Sequence, residues 1–309
     1  MKAIIVGSIG LDTIETPFGI QKDILGGSAI HAALAASFFH RVGIIGVVGQ
    51  DFTKEHFEFL ESRQIDVSGI HRAVGETFKW SGFYEYDMNQ AHTRETHLNV
   101  LGSFEGQVPE SYRDAEFVFL ANVDPDVQLT VLSKMRRPKF IASDTMNFWI
   151  GHKQEALWKV LQKVDFVLMN DAEIRELTKE ASLPLAAKKL FSRGVANVII
   201  KKGEHGALYF SPNDHFSAPS FPQDGLKDPT GAGDSFAGGF MGYLAYTGDL
   251  TPGNIRRAII IGSVMASFNV EDFGCGRMRR LREDEIYRRF EDFRRFSEFE
   301  QIEPLVTTS

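Results

Sequence analysis

The segment Asp228–Phe240 (DPTGAGDSFAGGF) sets small residues and carboxylates at the start of a predicted helix. Gly231, Ala232 and Gly233 allow the backbone to turn so that successive N–H groups converge, and the positive end of the helix dipole adds to them, which predicts an anion site. Asp234 at the mouth of such a site would repel the anion unless its carboxylate has a task. The natural task is to accept the proton of a hydroxyl that attacks a phosphoryl group. With an ordinary pKa of about 3.9, this carboxyl would be ionised at neutral pH.

A plainer explanation of this segment is a helix N-cap at Asp234 after a tight glycine turn, since Asp is favoured at caps and Gly at turns. The length of the run weighs against that explanation, because a cap requires neither Asp228 nor Thr230, nor the small residues at 237–239. We therefore interpret the segment as a phosphate-binding turn that carries a base.

Four more motifs occur where predicted strands meet turns or helices. They are Asp12 after the first strand, the pair Gly26 and Gly27 in GGSAIHAALAAS, Asn170 to Glu173 (NDAE), and Lys202 to Gly206 (KGEHG) after a strand. Together with the segment Asp228–Phe240, they resemble the signature motifs of the ribokinase-like (PfkB-type) carbohydrate kinase family. In order and spacing the resemblance extends from Gly7 to Gly274, which is essentially the whole chain.

The resemblance implies a kinase that uses ATP and Mg²⁺ and gives each motif a role. Asp234 becomes the catalytic base, and the N–H groups of Gly231, Ala232 and Gly233 form the anion hole. The residues implied in nucleotide binding are Asn170, Lys201, Lys202, Gly203, Gly206, Thr230 and Gly262. Those implied in binding the phosphoryl acceptor are Asp12, Gly26, Gly27 and His31. Those implied at metal ions are Glu173 and Asn170 for Mg²⁺, through water, and Asp228, with the loop at 270–276, for K⁺.

Two residues have competing interpretations. Many sugar kinases of this family carry Asn where this chain has His31, which puts a standard sugar acceptor in doubt. A lone His on an Ala-rich helix is more often a satisfied structural residue than a ligand-binding one. Asp144 follows a strand, at the end where open α/β sheets place ligands, so we expect it near the phosphate and Mg²⁺. A turn-forming Asp is an equal alternative.

Short buried runs alternate with helical stretches and predict the scaffold that positions these motifs. The predicted strands include Lys2–Ser8, Val42–Val48, Phe117–Ala121, Phe140–Ser143, Phe166–Met169 and Asn197–Lys201. Such alternation predicts an α/β fold with a mostly parallel sheet and helices on both faces. The resemblance implies the ribokinase-like three-layer αβα fold. We expect a single domain over 1–309, with a small β-lid from inserted segments at about 12–25 and 77–104 and a hairpin turn near 87–90.

The composition sets limits on partners and location. The 309 residues carry a formal net charge of −7, with 43% hydrophobic and 24% charged residues. A net negative, mixed surface argues against broad attachment to nucleic acid or anionic membrane, so we expect a small-molecule partner. The single cysteine, Cys275, cannot form an intramolecular disulfide, and no apolar run has the length of a signal peptide core or a membrane span. These features predict a cytoplasmic protein. An amphipathic packing helix is predicted over Arg282–Gln301.

The acceptor is open at this point, with a sugar favoured and an adenosine-like nucleoside as the alternative. A P-loop enzyme would need a GK dipeptide, which the sequence lacks. A serine hydrolase built on Ser235 would lack the second glycine of its nucleophile elbow. A non-catalytic sensor of sugars or nucleosides is a further alternative, against which the intact Asp234, Asn170 and Glu173 count. The exposed β-edge and aromatic residues of the lid also predict a homodimer.

Overall fold

The computed structural model describes residues 1–300, which contain thirteen strands and eleven α-helices. The strands are β1 Ala3–Val6, β2 Gly10–Thr16, β3 Gly19–Gly26, β4 Val42–Val48, β5 Ile65–Arg72, β6 Phe78–Tyr84, β7 Ala91–His97, β8 Phe117–Leu120, β9 Phe140–Asp144, β10 Phe166–Asn170, β11 Val198–Lys201, β12 Ala207–Phe210 and β13 His215–Ala218. The helices are α1 Ser28–Ser37, α2 Lys54–Ser62, α3 Pro125–Lys134, α4 Asn147–His152, α5 Gln154–Leu161, α6 Asp171–Thr178, α7 Leu183–Ser192, α8 Ala232–Thr247, α9 Pro252–Asn269, α10 Gly276–Arg280 and α11 Glu283–Ser297.

Nine strands form the central sheet in the order β13-β12-β11-β10-β9-β8-β1-β4-β5. Neighbours from β11 to β5 are parallel, and only β12 runs antiparallel to the strands beside it. Because parallel strands end at the same edge of a sheet, the residues that follow β1, β9, β10 and β11 converge there. The predicted α/β class with a mostly parallel sheet is confirmed.

Helices cover both faces of this sheet. Successive residues of one strand point to opposite faces, so Ile5 packs into the core that includes α1, α8 and α9, while Ile4 packs into the core that includes α3, α5, α6 and α7. The three predicted αβα layers are therefore present. Within residues 1–300, no helix combines the length and the apolar character that a membrane span requires.

A second, four-stranded sheet has the order β3-β2-β6-β7 and uses residues from the segments predicted to form a lid. Strand β2 is antiparallel to β3 and parallel to β6, and β6 forms a hairpin with β7. The turn of this hairpin lies between Tyr84 and Ala91, in agreement with the expectation near 87–90. We call this sheet the lid sheet; its action as a lid stays a prediction.

Three strands of the central sheet, β5, β12 and β13, were not predicted from the sequence. Their segments mix polar and apolar residues because they lie at or near the two ends of the sheet, where burial is incomplete. The predicted C-terminal helix is α11, in which Ile286 and Phe293 are buried. The predicted end of this helix at Gln301, and the last residues of the predicted 1–309 domain, lie outside the described residues.

Candidate active site

The glycine turn, residues 229–233, leads into α8 and needs backbone freedom at Gly231. This residue has a φ of 76°, in the left-handed region, and a Cβ atom there would overlap the ring of His31. A Cβ atom at Gly233 would lie 3.0 Å from Nζ of Lys201. The turn thus combines the N-terminus of a 16-residue helix with a nearby ammonium group, which favours an anion.

One of the three predicted anion-hole donors is engaged within the turn itself. The N–H of Ala232 donates to the carbonyl oxygen of Pro229 at 3.1 Å. An anion that used this N–H would have to displace that bond. The predicted donor set of Gly231, Ala232 and Gly233 therefore requires a small rearrangement at its middle member.

Asp234 lies in the first turn of α8 and is half-buried. Burial, and after it the negative charge of Asp144, raise the pKa of its carboxyl to about 7, although the Lys201 ammonium opposes both. The expectation that Asp234 is fully ionised at neutral pH is therefore corrected, because a pKa of about 7 leaves comparable amounts of both forms there. A carboxyl with this pKa is well suited to accept a proton at neutral pH.

Lys201, the last residue of β11, forms a largely buried ion pair with Asp144, the last residue of β9. Lys201 Nζ and Asp144 Oδ2 are 2.5 Å apart, with the side chains 16% and 4% exposed. Burial alone would lower the pKa of Lys201, but the carboxylates of Asp144, Glu173 and Asp234 raise it above its ordinary value. Lys201 therefore stays charged. Asp144 lies beside Lys201 and acts on Asp234, while its place near phosphate and Mg²⁺ stays a prediction.

Asn170 and Glu173 bind each other at the N-terminus of α6. The N–H of Glu173 donates to Oδ1 of Asn170 at 2.8 Å, and the N–H of Asn170 donates to Oε2 of Glu173 at 2.7 Å. This reciprocal capping box holds both side chains at the carboxyl end of β10. Burial, together with the charge of Asp144, raises the pKa of Glu173, so this carboxyl is held beside other negative charge.

The carboxylates of Asp144, Glu173 and Asp234 share one largely buried cation, Lys201, so the cluster keeps an excess of negative charge. A divalent cation would offset that excess. Within residues 1–300, no group of three or more His, Cys, Asp or Glu side chains is arranged to hold a metal directly. Oxygen donors beside an excess of negative charge fit the chemistry of Mg²⁺, and the contact of Asn170 and Glu173 with this ion through water stays a prediction.

Asp12, in β2, is a buried acid beside the glycine pair. It is 4% exposed, and its Oδ1 atom has no hydrogen-bond partner in the described chain. Burial raises the pKa of Asp12 to about 7; a hydrogen bond from the Gly27 backbone opposes the shift, and the charges of Asp228 and Asp234 add to it. A Cβ atom at Gly26 would overlap the Asp12 carboxylate, so the glycine pair gives this carboxylate its space.

His31, one turn into α1, is 1% exposed, and its ring packs against Gly231. Its Nδ1 atom lies 3.1 Å from Oδ1 of Asn269. Its Nε2 atom is buried and has no partner within the described chain. The structure thus places His31 between the glycine pair and the glycine turn, with one ring nitrogen still to be satisfied.

The lid sheet touches the site at two points. The Thr230 hydroxyl donates to the hydroxyl oxygen of Tyr84 at 3.2 Å. At the hairpin tip, Nδ2 of Asn89 donates to Oε1 of Glu204 at 3.2 Å, and a Cβ atom at Gly203 would lie 2.7 Å from Oδ1 of Asn89. The hairpin therefore reaches from the glycine turn to the turn after β11.

The remaining predicted residues support the backbone around the cluster. The N–H of Lys202 donates to the Gly206 carbonyl at 2.8 Å, and the φ of Gly206 is 79°, so these residues close a tight turn. The buried carboxylate of Asp228 accepts from the N–H groups of Thr230 and Gly274, both at 2.9 Å. It therefore ties the glycine turn to the loop at 270–276.

Gly262 lies apart from the cluster, in the contact between α8 and α9. It is buried, and a Cβ atom there would lie 2.8 Å from the carbonyl oxygen of Phe236. Close packing of the two helices explains this glycine, and its implied role in nucleotide binding stays a prediction.

Two residues that the structure places here were missed in the role they have. The sequence suggested Tyr84 only as an aromatic residue of the lid that could stack on a ligand, whereas it contacts Thr230, and no role was predicted for Asn269. Asn269 is fully buried at the end of a largely apolar helix. A polar residue at the end of such an apolar run was the feature of the sequence that could have identified it. The structure also weakens the hydrolase alternative, because Ser235 is fully buried and its hydroxyl donates to Oδ1 of Asn269 at 3.0 Å.

Comparison with known proteins identifies the family to which the chain is similar. The family model described as pfkB family carbohydrate kinase matches residues 12–280. The cytidine kinase of Thermococcus kodakarensis is 29% identical over 247 residues, which are 77% of this chain and 86% of that protein.

Solved structures share the fold at low sequence identity. The nucleoside kinase of Methanocaldococcus jannaschii superposes with a TM-score of 0.76 and 23% identity, over 94% of this chain and 99% of its own. An Escherichia coli protein described as a candidate ribokinase II, in complex with ATP and Mg²⁺, gives a TM-score of 0.75 and 22% identity, over 96% of this chain and 99% of its own. These matches confirm the ribokinase-like fold.

Proposed function

We propose that this chain, which belongs to the pfkB family of carbohydrate kinases, transfers a phosphoryl group from ATP to the hydroxymethyl group of a nucleoside. Membership of the family makes the chain a phosphotransferase whose acceptor is an alcohol group of a sugar or a nucleoside. Within that class, the likeness to a cytidine kinase over 77% of this chain favours a nucleoside over a sugar.

One observation carries the proposal: the carboxyl of Asp234 lies in the first turn of α8, beside a glycine turn and the ammonium group of Lys201. Asp234 accepts the proton of the acceptor hydroxymethyl as its oxygen attacks the phosphorus atom. The incoming hydroxyl is a weak nucleophile, so removal of its proton during attack lowers the barrier.

The glycine turn and Lys201 hold the phosphate groups. N–H groups of the turn and the helix dipole of α8 face the developing negative charge, and Lys201 adds a full positive charge close to Gly233. Asp144 keeps the ammonium in place through its 2.5 Å contact. Because these groups are fixed before the reaction, they stabilise charge without reorganising.

Kinases of this family use ATP with Mg²⁺, and bound Mg²⁺ supplies charge neutralisation between the phosphates. Asn170 and Glu173 would hold its water shell, since their capping box uses only one oxygen of Glu173. Asp12 and the glycine pair bind hydroxyl groups of the acceptor, and the lid sheet excludes water that would otherwise compete with the acceptor.

A sugar such as ribose is the second candidate acceptor, because the family is one of carbohydrate kinases. The two candidates differ in the group attached to the sugar ring. Trp80, in strand β6 of the lid sheet, could stack on either a sugar face or a nucleobase, so it does not distinguish the two acceptors. Its Nε1–H donates to Thr93 at 3.1 Å, and its ring is partly exposed.

Three further parts of the proposal concern ions, assembly and location. K⁺ binds near Asp228, and activity with and without K⁺ tests this. The chain forms a homodimer through the lid sheet, whose outer strands β3 and β7 are largely exposed, with Ile20 of β3 and Phe18 of the preceding turn on the surface; a monomeric mass by light scattering would contradict it. The protein is cytoplasmic in this proposal, as the sequence predicts.

The function is tested by an ADP-release assay with ATP and Mg²⁺ against cytidine, other ribonucleosides, ribose and fructose, with the product identified by ³¹P NMR. The expected result is a nucleoside monophosphate, with the highest kcat/KM for one nucleoside. Higher kcat/KM for a free sugar would replace the proposed acceptor by the second candidate. Binding of ATP and acceptors without any ADP would favour the sensor alternative.

A further inference from the structure

Asn269 joins three parts of the site through one buried amide. It is the last residue of α9 and has no exposed surface. Its Nδ2 atom donates to the carbonyl oxygen of Thr230 at 2.7 Å, its Oδ1 atom accepts from the Ser235 hydroxyl at 3.0 Å, and the same Oδ1 faces Nδ1 of His31 at 3.1 Å. One side chain therefore links the glycine turn, α8 and α1.

These contacts determine the orientation of the amide and the tautomer of His31. A carbonyl oxygen only accepts hydrogen bonds, so the amide nitrogen of Asn269 has to face Thr230. The amide oxygen then faces His31, and Nδ1 has to be the protonated ring nitrogen. In the neutral ring, Nε2 is left with a lone pair and no hydrogen.

The Nε2 lone pair is buried without a partner within the described chain. Leaving a buried polar atom unsatisfied costs free energy, so such an atom calls for an explanation. Burial lowers the pKa of His31 to about 4, while the hydrogen bond to Asn269 opposes the shift, so the ring is neutral at physiological pH. The atom therefore suits a donor such as a hydroxyl and does not suit a second acceptor.

A similar unsatisfied atom occurs on a second residue that contacts the glycine pair. Oδ1 of Asp12 is also buried and unpartnered, and Asp12 contacts Gly26 while the N–H of His31 donates to the Gly27 carbonyl at 3.2 Å. Two residues that contact the segment 26–27 therefore each carry an unsatisfied acceptor atom. A ligand with several hydroxyl donors, such as a ribose ring, matches the chemistry of both atoms.

We propose that Asn269 is a positioning residue that fixes the Nδ1–H tautomer of His31, so that Nε2 accepts a hydrogen bond from a hydroxyl of the acceptor. The inference rests on the proposed function, because it assumes that the acceptor binds beside the glycine pair. An Asn at position 31 could offer either its oxygen or its nitrogen, whereas this locked imidazole offers only an acceptor. We call this fixed Nδ1–H tautomer of His31 the lock. It favours acceptors that place a hydroxyl donor beside Nε2 of His31.

The first test is NMR of the wild-type protein with ¹⁵N-labelled histidine. The chain has nine histidines, and the His31 signals are identified by their loss in His31→Asn. We expect a protonated Nδ1 and an unprotonated Nε2 near pH 7, and a change at Nε2 on saturation with cytidine. A protonated Nε2, or a mixture of tautomers, would overturn the lock; saturation without any change at Nε2 would overturn the hydroxyl contact.

The second test is a double-mutant cycle on the acceptor KM. Asn269→Ala is expected to raise KM for the nucleoside ~10-fold in the wild-type background, with less than about twofold effect when His31→Ala is already present. A merely structural role would give the same factor in both backgrounds and would contradict the proposal. Asn254→Ala is the matched control, because Asn254 is equally buried in α9 but binds Thr247 and Asp249 at the opposite end of the helix.

The two tests separate this inference from the proposed function. The tautomer is read in the protein without any turnover, so an expected His31 tautomer in a protein that phosphorylates no nucleoside would support the lock while contradicting the nucleoside assignment. Turnover of cytidine by a protein whose His31 carries its proton on Nε2 would do the reverse.

Discussion

Nζ of Lys201 and Oδ2 of Asp144 lie 2.5 Å apart at the carboxyl ends of β11 and β9. The pair is largely buried, and it lies beside the start of α8, because a Cβ atom at Gly233 would come within 3.0 Å of the same ammonium. The two residues act on Asp234 in opposite directions: Asp144 raises the pKa of its carboxyl and Lys201 lowers it. The ion pair therefore sets the protonation of the proposed base as well as the position of a phosphate-binding cation.

Substitution at this pair should move the pH dependence of the reaction. Lys201→Met removes the group that lowers the pKa of Asp234, so the acidic limb of kcat/KM is expected to move to higher pH by about one unit. Asp144→Asn removes a like charge and should move the limb to lower pH. The measurement is a pH profile of kcat/KM, with exposed Lys188→Met as control. Shifts in the same direction for both variants would contradict this account.

Asp12→Asn should stabilise the fold while it weakens acceptor binding. Asp12 has a pKa of about 7 in the folded protein and an ordinary value of 3.8. Between these values the unfolded chain releases a proton that the folded chain keeps, so the free energy of unfolding falls as pH rises. The variant lacks this penalty. Its free energy of unfolding is expected to exceed that of wild type by up to about 4 kcal/mol near pH 8, and by less near pH 5.

Urea denaturation at both pH values measures the effect of Asp12→Asn. Asp224→Asn is the control, because Asp224 is exposed and its replacement should leave the free energy of unfolding unchanged at both pH values. An Asp12→Asn protein that is less stable than wild type near pH 8 would show that the carboxyl is not held at a raised pKa.

Tyr84→Phe should loosen the contact between the lid sheet and the glycine turn. The variant loses the hydroxyl that accepts from Thr230 at 3.2 Å and keeps the aromatic ring. We expect kcat/KM for the acceptor to fall about fivefold, as one hydrogen bond is lost, and hydrolysis of ATP by water to rise relative to transfer. ADP release with and without acceptor measures both. Tyr86→Phe, two residues along and 90% exposed, is the control and should behave as wild type. If both variants lose the same kcat/KM, the loss does not depend on the contact between Tyr84 and Thr230.

Gly231→Ala should damage the site through both backbone and side chain. The φ of 76° is unfavourable for Ala, and the new methyl group would overlap the His31 ring. We expect a loss of about 1–3 kcal/mol in stability and a large loss of kcat. Thermal unfolding and ADP release measure these. Gly253→Ala is the control, since a Cβ atom there meets nothing within 4 Å; comparable losses in both variants would show that the glycine turn has no special requirement.

Much of the fold could be predicted because its signals are local. The strands β1, β4, β8, β9, β10 and β11 are buried runs of apolar residues, and the glycine turn before α8 stands out in DPTGAGDSFAGGF. Strands at the ends of the sheet were missed since their partial burial removes the apolar run that identifies a strand.

The parts of the site that escaped prediction depend on contacts between distant segments. Asn269 meets His31 across 238 positions of sequence, and Tyr84 meets Thr230 across 146. The pKa of Asp234 likewise depends on burial and on Asp144, neither of which its sequence neighbours report. A motif identifies a candidate base, but only the packed structure gives its protonation.

The central claim is that Asp234 removes the proton from the acceptor, and Asp234→Asn tests it most directly. The amide has nearly the same shape but cannot act as a base at neutral pH, so kcat for nucleoside phosphorylation is expected to fall ~10²–10⁴-fold while the KM for ATP stays within about threefold. The exposed Asp224→Asn serves as control. An Asp234→Asn protein that keeps kcat within about tenfold of wild type would contradict the account.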